Sequence, residues 1–340
     1  MSFVKQVPFG QTGIKISPII VGCMSYGSKE WLPWCLEDEE QVFEILKFCY
    51  DNGLRTFDTA NCYSNGKSER LLGKFLKKYN IKRETVVILT KVFFPVDEDL
   101  GVFSHADSDL DTGVGVQLAN QRGLSRKNIF ASAKASMERL GTYIDVLQIH
   151  RLDLDTPFKE IMKSLNDVVE AGYTRYIGAS TMKATEFVEL QMIADKYEWF
   201  RFVNLQIQYN LLYREDEREL IPFAHRHKIA MTPWSPNARG LLTRPITEHN
   251  TKRNEVDKRI FPVNDVNREI INRLEALAKK HQVSMATIYT NWVLSKGYYP
   301  IVGMSSVERV QEAIDATKLH LTEEETKYLE EPYKPREVFV

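Results

Sequence analysis

Four side chains of complementary chemistry stand at or near the ends of apolar runs. Asp58 lies in TFDTA, Tyr63 follows in the next loop, Lys91 closes VVILTK and His150 closes DVLQIH. A phenol with an ordinary pKa of about 10 gives up its proton reluctantly near neutral pH. A lysine ammonium beside it favours the phenolate, an aspartate keeps that lysine charged, and a histidine orients a carbonyl oxygen between itself and the phenol. Such a set polarises a carbonyl for attack at carbon. Apart from Lys91 it holds no nucleophile for covalent work, and no second His or carboxylate stands at metal-ligand spacing. The electron pair must then come from a cofactor. Taken singly, each residue reads more plainly as a solvated lysine, a capping aspartate or a core histidine; their joint placement is what points to chemistry.

That joint placement depends on the elements carrying them. Short apolar runs bounded by turn residues recur at 19–23 (IIVGC), 55–59 (RTFDT), 86–91 (VVILTK), 145–150 (DVLQIH), 175–179 (RYIGA), 202–207 (FVNLQI), 229–233 (IAMTP) and 299–303 (YPIVG). Amphipathic helical patterns lie between them, at 39–52, 68–79, 126–140, 157–171, 184–197, 217–226, 268–280 and 285–296, with another at 307–317. Thr156 before Pro157 reads as an N-cap followed by a first-turn proline, and Ser284 as the cap of the run that follows it. Near-continuous apolar strands joined by crossover helices mean a parallel sheet buried on both faces. Eight such units predict an α/β fold, a (β/α)8 TIM barrel occupying 1–340 as a single domain, with catalysis at the C-terminal ends of the strands. A doubly wound sheet competes, but Gly22 stands alone in VGCMSYG where a glycine-rich fingerprint would be expected. VKQVPFGQTGIKIS predicts an N-terminal β-hairpin turning at 11–13 and covering one barrel end. The long connections 93–125 and 234–267 are expected to act as lids at the ligand end, with the Asp- and Gly-rich stretch 101–121 in the first.

Composition narrows the function classes. Lys and Arg number 45 against 46 Asp and Glu, so no global field draws in nucleic acid or acidic lipid, and an anionic ligand must be held by local basic groups. The four cysteines, Cys23, Cys35, Cys49 and Cys62, include no CxxC pair and fit a reducing compartment better than a zinc site or a disulfide framework. Without an apolar leader or a long apolar stretch in the sequence, a soluble cytoplasmic protein is expected.

The segments GLRTFDTANCYSNGKSERLLG, ILTK, IDVLQIHR, RYIGAS and LQIQYNLLYR together resemble the aldo-keto reductases, particularly their fungal, aryl-alcohol-dehydrogenase-like branch, from the hairpin to about Ala313. The resemblance implies Asp58, Tyr63, Lys91 and His150 as a catalytic tetrad, with Tyr63 as general acid in carbonyl reduction. It also implies NADPH bound extended across the barrel mouth, in preference to NADH, and no metal. By position, Ser180 and Gln206 would bond the nicotinamide carboxamide, with Thr181 where the family often has Asn. Trp234 would stack on the nicotinamide ring, and Ser235, Gly240 and Leu241 would turn backbone N–H groups toward the pyrophosphate. Gly303, Ser305 and Arg309 would meet the adenosine 2′-phosphate and Glu312 the adenine amine, an arginine fork suiting a phosphate dianion. Arg244 is a candidate second cation. The family's Asn after Glu312 is Ala313 here, and its common basic residue near Met304 is absent.

Tyr26, Trp31, Trp34 and Phe93 are the expected walls of a substrate pocket taking aromatic or medium-chain carbonyl compounds, since a sugar would demand a matching set of polar partners. Cys62 beside Tyr63 reads as a small buried filler. One rival is a lyase in which Lys91, its pKa lowered by burial, forms a Schiff base. Another is a binding or regulatory subunit resembling the potassium-channel β-subunits. No nucleic-acid or membrane partner is expected beside the small-molecule substrate, and the oligomeric state is not legible in the residues.

Overall fold

The computed structural model describes residues 3–99, 113–248 and 264–338. A short antiparallel hairpin, β1 (Val7–Pro8) and β2 (Lys15–Ile16), precedes the barrel. Its strands are β3 (Ile20–Gly22), β4 (Thr56–Asp58), β5 (Val87–Val92), β6 (Ile144–Ile149), β7 (Thr174–Ser180), β8 (Phe202–Gln206), β9 (Ala230–Met231) and β10 (Ile301–Gly303). All neighbours in this sheet run parallel, in the order β10-β3-β4-β5-β6-β7-β8-β9. The two sheet edges meet through Tyr299 N–H to the Met231 carbonyl and Ile301 N–H to the Pro233 carbonyl, each 2.9 Å. The expected α/β barrel is therefore present with all eight strands in place.

Alternation along each strand divides the inner and outer faces. Outward residues such as Val21, Phe57, Ile88, Leu147, Ile177 and Leu205 pack under the helices in the main core. Ile20, Leu89, Val146, Ala230 and Ile301 meet at the N-terminal end of the strands, where Phe9 and Ile16 of the hairpin plug the barrel. Gly10 makes this plug close: its φ is +55°, and a Cβ there would stand 2.6 Å from the Lys228 carbonyl oxygen. One step up the strands the inner face turns polar, with Asp58, Lys91, Gln148, Asn204, Gln206 and Thr232 all buried.

The crossover helices are α1 (Glu39–Asp51), α2 (Lys67–Lys78), α3 (Gly113–Leu118), α4 (Arg126–Leu140), α5 (Phe158–Glu170), α6 (Ala184–Tyr197), α7 (Leu220–Arg226), α8 (Asp265–His281) and α9 (Met285–Ser295), followed by α10 (Val307–Ala316) and α11 (Glu323–Glu330). Ser284 caps α9 as expected, accepting from Thr287 N–H at 3.1 Å. The Thr156 cap is corrected: Pro157 occupies the N-cap and Phe158 opens α5, because the Thr156 hydroxyl donates to Asp153 Oδ2 at 2.7 Å. Helix α7 begins three residues later than the apolar pattern suggests. Pro222 lacks an N–H and fits only a first turn, so the helix starts at Leu220 and Glu215–Glu217 form a separate 3-10 turn. Helices α3 and α11 were not expected.

The described ends of the first long connection are pinned to the barrel: Asn65 exchanges two hydrogen bonds with the Asp97 backbone, and Gly123 N–H donates to the Phe93 carbonyl. Most of the 101–121 stretch, like 249–263 of the second connection, lies outside the described residues. Among the described residues no helix is long and apolar enough to cross a membrane.

Candidate active site

Parallel strands deliver their C-terminal residues to one rim, which is why residues far apart in sequence meet here. Asp58 ends β4, Lys91 lies one residue from the end of β5, and His150 follows β6 directly. Tyr63 stands in the turn after β4, which doubles back through left-handed backbone at Ser64, Asn65 and Gly66. The Lys91 ammonium is fully buried and engages all three of its hydrogens: with Asp58 Oδ1, with the Thr59 carbonyl at 2.8 Å, and with the Tyr63 hydroxyl oxygen at 3.2 Å. Since that oxygen accepts from Lys91, the phenol's own hydrogen is directed elsewhere, toward the open space above. The His150 ring stands edge-on to Tyr63, centroids 5.9 Å apart, with Nδ1 at 3.8 Å from Cys62 Sγ.

The electrostatics correct two expectations. Burial alone would lower the pKa of Lys91, but the Asp58 carboxylate and Tyr63 outweigh it and hold the ammonium above the ordinary lysine range. A Schiff-base lysine needs the opposite shift and a free amine, so the lyase reading loses its basis. Burial pushes the Tyr63 phenol up to about 12, against the downward pull of Lys91. The lysine therefore limits the rise rather than producing a low-pKa phenol. Burial likewise lifts the Cys62 thiol to about 12. Cys62 is buried as expected, but it also touches His150, a contact that its place beside Tyr63 did not disclose.

These groups open onto a cavity of about 940 Å³ that spans the strand ends. Asp58, Tyr63, His150, Ser180, Gln206, Trp234, Ser235, Gly240, Gly303, Ser305 and Arg309 all line it, as does Arg244. Trp234 is fixed by its indole N–H, which donates to Thr181 Oγ1 at 3.1 Å, while Thr181 N–H donates to the Gln206 carbonyl. Lys91 lies beneath the floor.

Several expected residues fall elsewhere. Leu241 is buried off the cavity, and the N–H groups of Gly240 and Leu241 close turns onto the Asn237 and Ala238 carbonyls, so they do not face an anion. From this segment Arg239, not singled out in the sequence, also lines the cavity. Glu312 stands one turn beyond Arg309 on α10 and does not line the cavity; its carbonyl accepts from Thr287.

Near Tyr63 and His150, Trp31 and Trp34 line the cavity. Tyr26 does not, because its hydroxyl donates into the Met304 carbonyl at 2.6 Å and its ring belongs to the core. Phe93 also packs against the core, and the wall is its neighbour Phe94, 5.1 Å from the His150 ring between centroids. Arg151 and Met24 complete this end.

The cavity's donor set can be tested against the cofactor that the sequence implies. Four arginines, Arg151, Arg239, Arg244 and Arg309, line it together with Trp234 and the polar residues Ser180 and Gln206. That set fits an elongated ligand carrying several phosphates and an amide-bearing ring. Among the described residues no cluster of His, Cys, Asp and Glu is arranged to hold a metal ion.

Comparison with known proteins agrees with this geometry. The model of the Aldo/keto reductase family matches residues 18–334. A Saccharomyces cerevisiae protein named provisionally as an aryl-alcohol dehydrogenase is 60% identical across 99% of both chains. A Schizosaccharomyces pombe protein with the same kind of name is 54% identical over 96% of this chain and 95% of its own. Versiconal hemiacetal acetate reductase of Aspergillus parasiticus is 48% identical over 97% of each. With the family model spanning the barrel and its site, and identity of this depth over whole chains, the protein belongs to the aldo/keto reductase family.

Proposed function

We propose that this chain, acting as one barrel domain, reduces aldehydes and ketones to alcohols with NADPH, and that Tyr63 supplies the proton. The observation carrying this reading is the buried relay Asp58–Lys91–Tyr63, which ends on a phenol at the floor of a cavity lined by four arginines. A reduced nicotinamide, when bound, supplies the hydride that the side chains cannot. Arg309 with Ser305 would hold a 2′-phosphate, Arg239 and Arg244 the bridging phosphates, and Ser180 with Gln206 the carboxamide.

The chain's own part is to receive the carbonyl oxygen and protonate it. Tyr63 directs its hydrogen away from Lys91 and into the cavity. As negative charge develops on the substrate oxygen, the proton moves to it, and the phenolate left behind is stabilised by the Lys91 ammonium, whose charge Asp58 sustains. Cys62 stays a thiol at neutral pH and can donate S–H to His150 Nδ1, which leaves the hydrogen on Nε2 to orient the same oxygen. Trp31 and Phe94 would flank a flat, apolar substituent, which favours aryl carbonyl substrates.

Titration of the protein's fluorescence with NADPH and then NADH, followed by an aromatic aldehyde, tests this reading. Tight NADPH binding and loss of the reduced-nicotinamide absorbance on adding aldehyde are expected. Tyr63→Phe should abolish that loss while leaving NADPH affinity nearly intact. Binding without turnover across a broad carbonyl panel would overturn the reading, as would full activity in the Phe variant.

A further inference from the structure

Below the reacting groups, the barrel interior holds three further polar side chains, Gln148, Asn204 and Thr232, that the mechanism above does not use. Asp58 Oδ2 accepts from two amides, Gln206 Nε2 at 2.9 Å and Gln148 Nε2 at 3.0 Å. A carboxylate only accepts, so both glutamines must present nitrogen to it, and their carbonyl oxygens must turn elsewhere. The Gln148 oxygen is met by Asn204 Nδ2 at 2.8 Å and by Gln206 Nε2 at 3.1 Å. Asn204 is itself oriented by donating to Thr232 Oγ1 at 3.0 Å. Gln148, Asn204 and Thr232 are wholly buried, and the backbone leaves room for them: a Cβ on Gly178 would stand 2.0 Å from Asn204 Oδ1. With its amide hydrogens engaged inward, Gln206 has a carbonyl oxygen to offer the cavity it lines.

We infer that Gln148 is a positioning residue that holds the Gln206 amide in the orientation that reads the nicotinamide carboxamide, and joins that amide to the carboxylate sustaining Lys91. The inference rests on the reading of the cavity as a site for NADPH. Among the described residues Gln206 is the single side chain that both hydrogen-bonds Asp58 and lines the cavity beside Ser180. Without the Gln148 oxygen the bond to Asp58 still keeps its nitrogen inward, but that one anchor no longer fixes the plane of the amide. The effect is confined to the nicotinamide end, because Arg309 and Ser305 lie on the opposite strand connection and share no hydrogen bond with these side chains.

Two variants test it. Gln148→Met keeps the volume and removes both the donor and the acceptor. It is expected to weaken NADPH binding about tenfold while leaving adenosine 2′,5′-bisphosphate, which lacks the nicotinamide, within about twofold, and to lower kcat more than it raises the carbonyl KM. Gln148→Glu restores a donor to Asp58 only when its own carboxyl is protonated. Its NADPH affinity should therefore fall as pH rises between about 5.5 and 8.5, where the parent's stays level, and this variant carries the test if the Met protein does not fold. Equal losses for the two nucleotides, no loss for either, or a Glu variant that tracks the parent with pH would overturn the inference. A parent protein that binds neither nucleotide would instead overturn the reading of the cavity, and that is seen before any variant is made.

Discussion

Replacing Lys91 by methionine removes the one charge in contact with the Tyr63 oxygen. At the 3.2 Å that separates them, a full ammonium–phenolate pair is worth about 5 kcal/mol at an effective dielectric constant of about 20. With the proton about half transferred in the transition state, roughly half of that is lost, 2–3 kcal/mol, or about a hundredfold in rate. The substitution also strands the buried Asp58 carboxylate, which costs about 3–5 kcal/mol of stability when a partner is removed. A slow enzyme could then be merely a poorly folded one. The double variant Lys91→Met/Asp58→Asn separates the two effects, because it leaves no unpaired charge and keeps an oxygen for Gln148 and Gln206 to bond. Its Tm should return close to the parent's, while kcat/KM for NADPH-driven reduction of an aromatic aldehyde stays at least tenfold down. Asp58 by itself raises the Tyr63 pKa, so the double variant should be faster than the single one. A folded double variant within about threefold of the parent would show that the lysine acts structurally and that the relay is not the source of the proton's mobility.

Arg309→Leu should weaken NADPH binding about ten- to a hundredfold and NADH hardly at all, the loss expected for one charge-assisted hydrogen bond; equal losses in the two titrations would remove the 2′-phosphate role. The Tyr63 phenol, pushed up to about 12, must be protonated to act as an acid in reduction. Ionisation of this residue therefore leaves kcat/KM level from about pH 6 to 9 and lowers it only as pH approaches the pKa; a fall centred inside that window that vanishes in Tyr63→Phe residual activity would contradict the assignment. Glu325 closes the capping box of α11 and bonds Lys280 Nζ at 2.8 Å and His281 Nε2 at 2.6 Å. Burial would raise its carboxyl, but Lys280, the Thr322 backbone and His281 hold it at about 2. A depressed carboxylate contributes stability above its ordinary pKa and loses it as pH falls toward 2. Glu325→Gln should cost about 1–2 kcal/mol in unfolding experiments at pH 7, with the gap closing in acid.

The barrel was legible because its strands are buried on both faces and so stand out as apolar runs, and because a capping residue such as Ser284 stands before a helical pattern. Helix α11 was missed although TEEE, with Thr322 and Glu325 reciprocally bonded, carries a capping-box signal. Its eight residues bury only Glu325 and Leu329, too few apolar positions to show a period. The pocket walls failed for a different reason. Beyond the end of a strand, alternation no longer says which way a side chain points. Phe93 and Phe94 are equivalent on paper, and only the hydrogen bond from Gly123 to the Phe93 carbonyl and the core packing of its ring distinguish them. Tyr26 is diverted by a contact with Met304, 278 positions away in sequence, which no local pattern records.

Within the strands, alternation does say which way the side chains point. Leu89 and Lys91, Val146 and Gln148 are pairs two residues apart on the inner face, apolar at the hairpin end and polar at the rim end. Ile20 and Gly22 follow the same parity, with glycine where the cavity needs space. On β8 the polar layer is two residues deep, Asn204 below Gln206, and Gly178 on the neighbouring strand is the gap that Asn204 fills. Read one residue at a time, Gln148 between Leu147 and Ile149 is an isolated polar intrusion that argues against a buried strand. Read by layer, it is the position at which a packed hydrophobic barrel changes into a floor able to hold a buried ion pair. That change must be abrupt, because an unpaired Asp58 or Lys91 one layer deeper would face only Leu89, Val146 and their neighbours, with no amide to compensate it. The polar layer is thus a physical requirement of placing a charged lysine inside the barrel.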